Sequence, residues 1–408
     1  MSAPLTGAQE AAERAFEPTV STGVPRIAAM DGLRGIAILL VLWFHVWQIT
    51  WLGVPLSLGH GFDAQIVPET GFVGVELFFL LSGFCVFYPF ARAHFERRPE
   101  PAWRHFYSRR FWKIVPSYVL AVAVLVGFGV QRYGSLGEGA RDVALHLAFV
   151  HNWFAATTGS ISGVLWSLGV EVQFYAVFPL LCALFLRSPV ATFAALVVLA
   201  AAFRAASQAF DAYYLSQLVN QLPAVADLFA VGMLVAYAYR LVLARSPLLA
   251  LRRRLWTAVA LAGVAASVVL LHSLYGVRFD HDGFVLWQTH YRTALALAFG
   301  LVAFGTLLAH PAWVAVVANP VTIFLGAISY NLYLWHQVVA RLVAASIPAM
   351  TKDPHGDPHW QATVLFAGSA TALVVATVAT FFFERPLMAA AQRRRGQSPE
   401  KPRANELA

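Results

Sequence analysis

Apolar runs close to twenty residues long recur from Gly35 to Phe383, and no other feature of this 408-residue chain restricts its fold as much. About 20 apolar residues carry a helix across the hydrocarbon of a bilayer, so each run is long enough for one crossing. The runs fall at roughly 33–51, 71–91, 111–130, 163–187, 189–206, 221–244, 255–273, 286–308, 319–341 and 361–383. Hydrocarbon offers no partner to an unpaired backbone amide, so spanning runs of this kind are helical. The expected fold is all-α: a polytopic membrane protein with about ten transmembrane helices. Charged residues make up 12% of the chain, about half of the ~25% found in a soluble domain.

The net charge of +8 would suit a nucleic-acid partner if it formed a continuous basic face. Instead the basic residues gather in blocks between apolar runs, as the positive-inside rule produces. With a cytoplasmic N-terminus, 22 of the 29 basic residues lie on the inner side. Arg132, Arg141, Arg204, Arg278, Arg292, Arg341 and Lys352 are left outside. Both termini are then cytoplasmic, with the lipid bilayer as the partner and no nucleic acid. Residues 1–30 read as a short arm without the pattern of a cleaved signal peptide. Residues 31–386 read as the membrane domain, and 387–408 as a basic, disordered tail. The stretch 141–156 is too short to span; it lies at the outer interface or dips back into the protein. Cys85 and Cys182 sit inside apolar runs without metal-ligand spacing, so neither a zinc site nor a disulfide framework is expected.

A polar or ionisable side chain within a span is costly and faces a partner or a cavity. Five groups meet that description. Arg34 and His45 are eleven residues apart, about three turns, and share a helix face roughly 16 Å apart. They are either an anchor and a hydrogen-bonded core histidine, or an anion grip and a mid-membrane base. Glu76 begins the run GVELFFLLSGF. Arg109, Arg110 and Lys113 gather where the third span starts, which suits topology signalling or an anionic cytosolic ligand. Ser167, Glu171 and Tyr175 recur every four residues on one face, and so line a polar cavity. Ser329, Tyr333 and His336 in ISYNLYLWHQ also share a face. No phosphate-binding loop, H-E-x-x-H or G-x-S-x-G occurs, so the set favours proton handling and an anionic ligand over metal chemistry or ATP hydrolysis.

Four segments in order carry a family resemblance. They are RIAAMDGLRGIAILLVLWFH (26–45), GVELFFLLSGF (74–84), WSLGVEVQFY with Pro179, and SYNLYLWH with FFFERP near the end. The chain resembles the acyltransferase-3 family of bacterial integral membrane O-acyltransferases over essentially its whole spanning region. That resemblance implies transfer of an acyl group, commonly acetyl from cytosolic acetyl-CoA, in the bacterial cytoplasmic membrane. The acceptor would be a hydroxyl of a cell-surface glycan, a lipid-linked sugar or a glycosylated small molecule. The family's arginine–histidine pair maps onto Arg34 and His45, and its arginine-rich third span onto Arg109 and Arg110. Lys113 stands where arginine is common, Met30 for leucine and Glu76 for aspartate. Some members carry a C-terminal esterase-like domain; without one, transfer is completed by the membrane domain or by a separate partner.

On this reading acyl-CoA docks its phosphates on Arg34, Arg109, Arg110 and Lys113, and no metal takes part. His45 is the general base or a transient acyl carrier, assisted by Arg34 and Glu171. Glu76, Ser167, Tyr175, Tyr333 and His336 face the acceptor. The competing class is a transporter or flippase for a lipid-linked sugar or small molecule. A transporter often shows two related halves with interrupted helices, and neither is found in the sequence.

Overall fold

The computed structural model describes the backbone of residues 19–21, 24–51, 57–59, 62–210, 215, 217–347 and 358–393. The described part is a helical bundle, with two short antiparallel ribbons at Thr19–Ser21/Val24–Arg26 and Ser57–Gly59/Phe62–Asp63. Its helices are α1 (Ala28–Thr50), α2 (Gly74–Glu96), α3 (Trp103–Gly127), α4 (Leu136–Leu147), α5 (Trp166–Arg187), α6 (Pro189–Ser207) and α7 (Leu222–Arg245). There follow α8 (Arg253–Val277), α9 (His281–His290), α10 (Arg292–Leu308), α11 (Pro311–Val317), α12 (Pro320–Ala345), α13 (Pro358–Val378) and α14 (Arg385–Arg393). Among the described residues eight helices are long and apolar enough to cross a membrane, and two bent pairs bring the total to ten.

Both bends have local causes. α9 and α10 meet at 52° around Tyr291, and α11 and α12 at 46°. At the second bend Asn319 caps α12 by accepting from the Val321 and Thr322 amides, and Pro320 occupies its first position. The span expected at 286–308 is therefore interrupted. A π-helical turn over Ala379–Glu384 joins α13 to α14. Residues 387–393, expected as disordered tail, are helical in α14, and the rest of that tail lies outside the described residues. So do residues 1–18 of the arm and Lys352.

The functional centre depends on how closely α1 lies against α12. A methyl at Gly35 would sit 2.0 Å from the Thr322 carbonyl oxygen, and one at Gly326 would sit 2.2 Å from that of Asp31. Only glycine fits either position, so the two backbones touch without intervening side chains. The helices run parallel, and larger residues farther along meet face to face: Arg34 with Ser329, and His45 with His336.

Buried ion pairs brace the other side of the bundle. Arg204 on α6 reaches Asp227 on α7 at 3.0 Å, and Thr293 hydrogen-bonds both. Arg292 at the start of α10 pairs with Glu76 on α2 at 2.8 Å. Arg204 and Arg292, expected in outer loops, are thus inside the protein, where they satisfy buried carboxylates.

Candidate active site

One stripe of α12 organises the centre. Ser329, Tyr333 and His336 lie at i, i+4 and i+7, so they face the same way. Each meets a different helix segment: Ser329 accepts from Arg34 at 3.2 Å, Tyr333 contacts Ser167 of α5 at 2.6 Å, and His336 contacts His45 at 3.0 Å. Three residues that the sequence singled out in other groups, Arg34, His45 and Ser167, are thereby joined through this stripe.

The hydrogen bonds fix the tautomers of the neutral histidine pair. His336 Nδ1 lies 2.9 Å from the carbonyl oxygens of both Leu332 and Tyr333, which only accept, so Nδ1 carries the proton. His336 Nε2 is then an acceptor, 3.0 Å from His45 Nδ1. His45 Nδ1 therefore donates, shared between His336 and the Val41 carbonyl oxygen at 2.9 Å. The lone pair of His45 rests on Nε2, which has no partner among the described residues. A neutral imidazole held in this tautomer is a ready proton acceptor.

Between α1, α2, α5 and α12 lies a cavity of about 50 Å³, bounded by Arg34, Phe78, Ser167, Glu171, Tyr330 and Tyr333, among others. It holds a few waters or one small group. The Glu171 carboxylate forms its polar floor, accepting from Ser82 at 2.7 Å and from Tyr175 at 2.5 Å. Ser82 lies in the run GVELFFLLSGF and was not among the expected site residues. Its hydroxyl in fact links α2 to Glu171. The Arg34 guanidinium lies 5.7 Å from the centre of the Phe78 ring, in cation–π range.

The cations expected to take phosphates divide into two kinds. Arg110 stacks over Tyr175 at 5.5 Å and over Phe106 at 5.6 Å, which brings it beside the Glu171–Tyr175 pair. Neither Arg109 nor Arg110 has a carboxylate partner among the described residues, so both keep their charge for an anion. Lys113 is different. It forms an ion pair with Glu384, whose other oxygen accepts from Asn331 at 2.8 Å. The FFFERP acid thus has a structural partner, and Lys113 is neutralised by it. Glu76 likewise stands apart from the cavity: it is 2% exposed and held by Arg292. Among the described residues no cluster of His, Cys, Asp and Glu could hold a metal ion.

This frame sets an arginine and a carboxylate around an internal cavity, with Tyr333 of its wall on the same stripe of α12 as His336, the partner of His45. Comparison with known proteins gives that frame its chemistry. The family model for the acyltransferase-3 Acyltransferase domain matches residues 27–383, and the chain belongs to that family of acyltransferases. It is 26% identical over 172 residues to the peptidoglycan O-acetyltransferase OatA of Listeria monocytogenes, a match covering 40% of this chain and 25% of that protein. It is 24% identical over 164 residues to the O-acetyltransferase OatA of Staphylococcus aureus, covering 38% and 24%. A third relative, regulator of hypoxia-inducible factor 1 of Caenorhabditis elegans, is 31% identical over 127 residues, covering 29% and 24%. The chain thus matches about a quarter of the length of each of these relatives. No solved structure matches it.

Proposed function

We propose that this chain moves an acyl group, acetyl from acetyl-CoA, onto a hydroxyl of a cell-envelope glycan, with both termini and the donor on the cytoplasmic side. The observation that carries this reading is the stripe of α12 on which Tyr333 bounds the cavity that Arg34 also bounds and His336 holds His45, leaving His45 Nε2 without a partner among the described residues. The inward topology rests on the basic blocks, and moving Arg204 and Arg292 from the loops into the bundle sharpens their asymmetry. Arg109 and Arg110, with Arg34, receive the donor phosphates at the inner mouth. Lys113 and Glu76 serve as internal ion pairs.

In the reaction His45 Nε2 takes the proton of the acceptor hydroxyl as its oxygen forms a bond to the thioester carbonyl carbon. When the carbon–sulfur bond breaks, the CoA sulfur leaves with the electron pair and recovers the proton from His45. The products are the O-acyl glycan and free CoA thiol. Glu171, positioned by Ser82 and Tyr175, accepts a hydrogen bond from the acceptor.

Purified protein in detergent, incubated with radiolabelled acetyl-CoA and glycan acceptors, tests the reading. Acceptor-dependent thiol release is expected in the wild type and absent in His45→Ala. A His45→Ala variant that acylates at the wild-type rate removes the histidine from the chemistry. A folded wild type that neither binds nor turns over acyl-CoA favours the transporter reading.

A further inference from the structure

A second cavity, of about 160 Å³, lies toward the ends at which α1 and α12 terminate. The helix lengths explain it. Ser167, in the first turn of α5, meets Tyr333, which is halfway along the 26-residue α12. α5 therefore begins deep in the bundle, and the segments 151–165 and 217–221 fill the space beyond it. A set of carboxamides ties the two segments together. Asn152 Nδ2 donates to Gln221 Oε1 at 2.8 Å, Gln221 Nε2 returns a bond to the Asn152 carbonyl at 2.6 Å, and Gln217 Nε2 reaches the same carbonyl at 3.2 Å. From α5, Gln173 Nε2 donates to Asn152 Oδ1 at 2.8 Å. Asn152 and Gln221 are each 1% exposed, so the frame is fixed from behind.

The pocket itself is bounded by Asn152, Gln217, Asn220, Gln221, Trp166 and Gly163, together with Thr158. No residue that bounds it carries a charge. Arg292, which touches Asn220 Oδ1 at 3.5 Å, is already neutralised by Glu76. Several polar atoms there make no hydrogen bond among the described residues: Gln217 Oε1, the Asn220 amide nitrogen, Thr158 Oγ1 and the Trp166 indole nitrogen. Gln217 is 7% exposed, so its unused oxygen is a polar atom on a nearly buried side chain. Mixed donors and acceptors without charge, beside an indole, match a ligand with neighbouring hydroxyls and an apolar C–H face.

The pocket also adjoins the reaction centre. Trp166 precedes Ser167, which borders the first cavity, and its ring meets Phe79 of that cavity at 6.1 Å. Gly163 backs onto Gln337, the residue after His336: a methyl on Gly163 would come within 3.1 Å of Gln337 Oε1. That buried oxygen also has no hydrogen-bond partner. One layer of side chains separates the two cavities.

We infer that this carboxamide pocket is the acceptor subsite and binds one neutral sugar unit of the glycan, presenting its hydroxyl toward His45. The inference rests on the acyltransferase reading above and gives that reading its acceptor class. On the proposed topology the pocket faces outward, so sugar and donor approach from opposite sides.

Two measurements separate failure of the subsite from failure of the enzyme reading. The first is direct binding of chitotriose, cellotriose and maltotriose to full-length His45→Ala in detergent, by saturation-transfer NMR or calorimetry. At least one should bind, and Gln217→Leu or Thr158→Val added to that background should weaken binding at least tenfold. Gln217→Leu gives up one bond to the Asn152 carbonyl and Thr158→Val gives up none, and detergent melting curves verify that both fold. The second is kinetics in the wild-type background. Gln217→Leu should raise the acceptor KM at least tenfold while the acyl-CoA KM moves less than twofold. Absence of binding by all three sugars, or equal binding by folded variants, overturns the subsite even if acylation is normal. Sugar binding lost in Gln217→Leu supports the subsite even if no acyl transfer is found.

Discussion

His336 Nε2 lies 3.0 Å from His45 Nδ1, and the two carbonyls behind His336 dictate which of them donates. On the proposed mechanism His336 acts on the reaction through His45 rather than on the acceptor directly.

Its removal should lower kcat more than either KM. His336→Ala is expected to reduce kcat by about 10²–10³-fold, within the range attributed to a positioned base. His336→Gln, which can place an acceptor oxygen near the lost Nε2, should recover part of that rate. An acceptor KM that rises while kcat holds would return His336 to substrate contact, the role its position in the sequence suggested.

Lys113 offers a sharp contrast with its arginine neighbours. Arg109→Ala and Arg110→Ala should raise the KM for acyl-CoA. Lys113→Ala should leave it nearly unchanged but lower the melting temperature, because Glu384 is 3% exposed and loses its counter-charge. Lys113→Ala combined with Glu384→Gln should regain stability. A donor KM raised as much by Lys113→Ala as by Arg110→Ala would place the lysine in the phosphate site.

Glu76 and Arg292 should behave as a structural unit. Their side chains are 2% and 4% exposed, and breaking such a buried pair costs about 3–5 kcal/mol. Glu76→Ala should therefore lower the melting temperature in detergent strongly. The double change Glu76→Leu, Arg292→Met should recover much of the loss. Full stability with a raised acceptor KM in Glu76→Ala would restore the carboxylate to the site.

Acid should loosen the segment carrying the amide pocket. His146 and His151 stack at 3.9 Å, fully buried, with Asp142 3.1 Å from His146 and Tyr133 donating to that carboxylate. Burial lowers the pKa of both histidines, and for His151 it falls to about 3, with the neighbouring His146 adding to the effect. Below the ordinary value near 6.5 the unfolded segment binds more protons than the folded one. Stability conferred by the neutral pair is thus complete above pH 6.5 and is lost as pH falls toward 3. Hydrogen exchange across residues 141–160, corrected for intrinsic rates, should be faster at pH 5 than at pH 7.5. Equal protection at the two values would contradict this.

The sequence disclosed what a bilayer makes conspicuous. Arg34, His45, Ser167, Glu171, Tyr333 and His336 stood out because a polar group within a span needs a reason to be there. The same test singled out Glu76 without its partner, since Arg292 is 216 positions away and nothing local shows that the charge is already balanced. Arg204 and Arg292 passed for loop charges because they flank apolar runs, and only the packing of α6, α7 and α10 draws them inside. The amide pocket escaped notice for a different reason. Asn152, Gln217 and Gln221 lie in short segments that cannot span, and uncharged amides in loops carry no anomaly of composition. The bends before α10 and α12 were equally hidden within continuous hydropathy.

The glycine seam between α1 and α12 has a further mechanical meaning. Two backbones that leave no room for a methyl group bring their facing side chains into one register, so a single seam sets both the Arg34–Ser329 and the His45–His336 contact. On the proposed function that seam is the wall along which the acyl group alone passes from donor to acceptor, while the rest of each molecule stays on its own side.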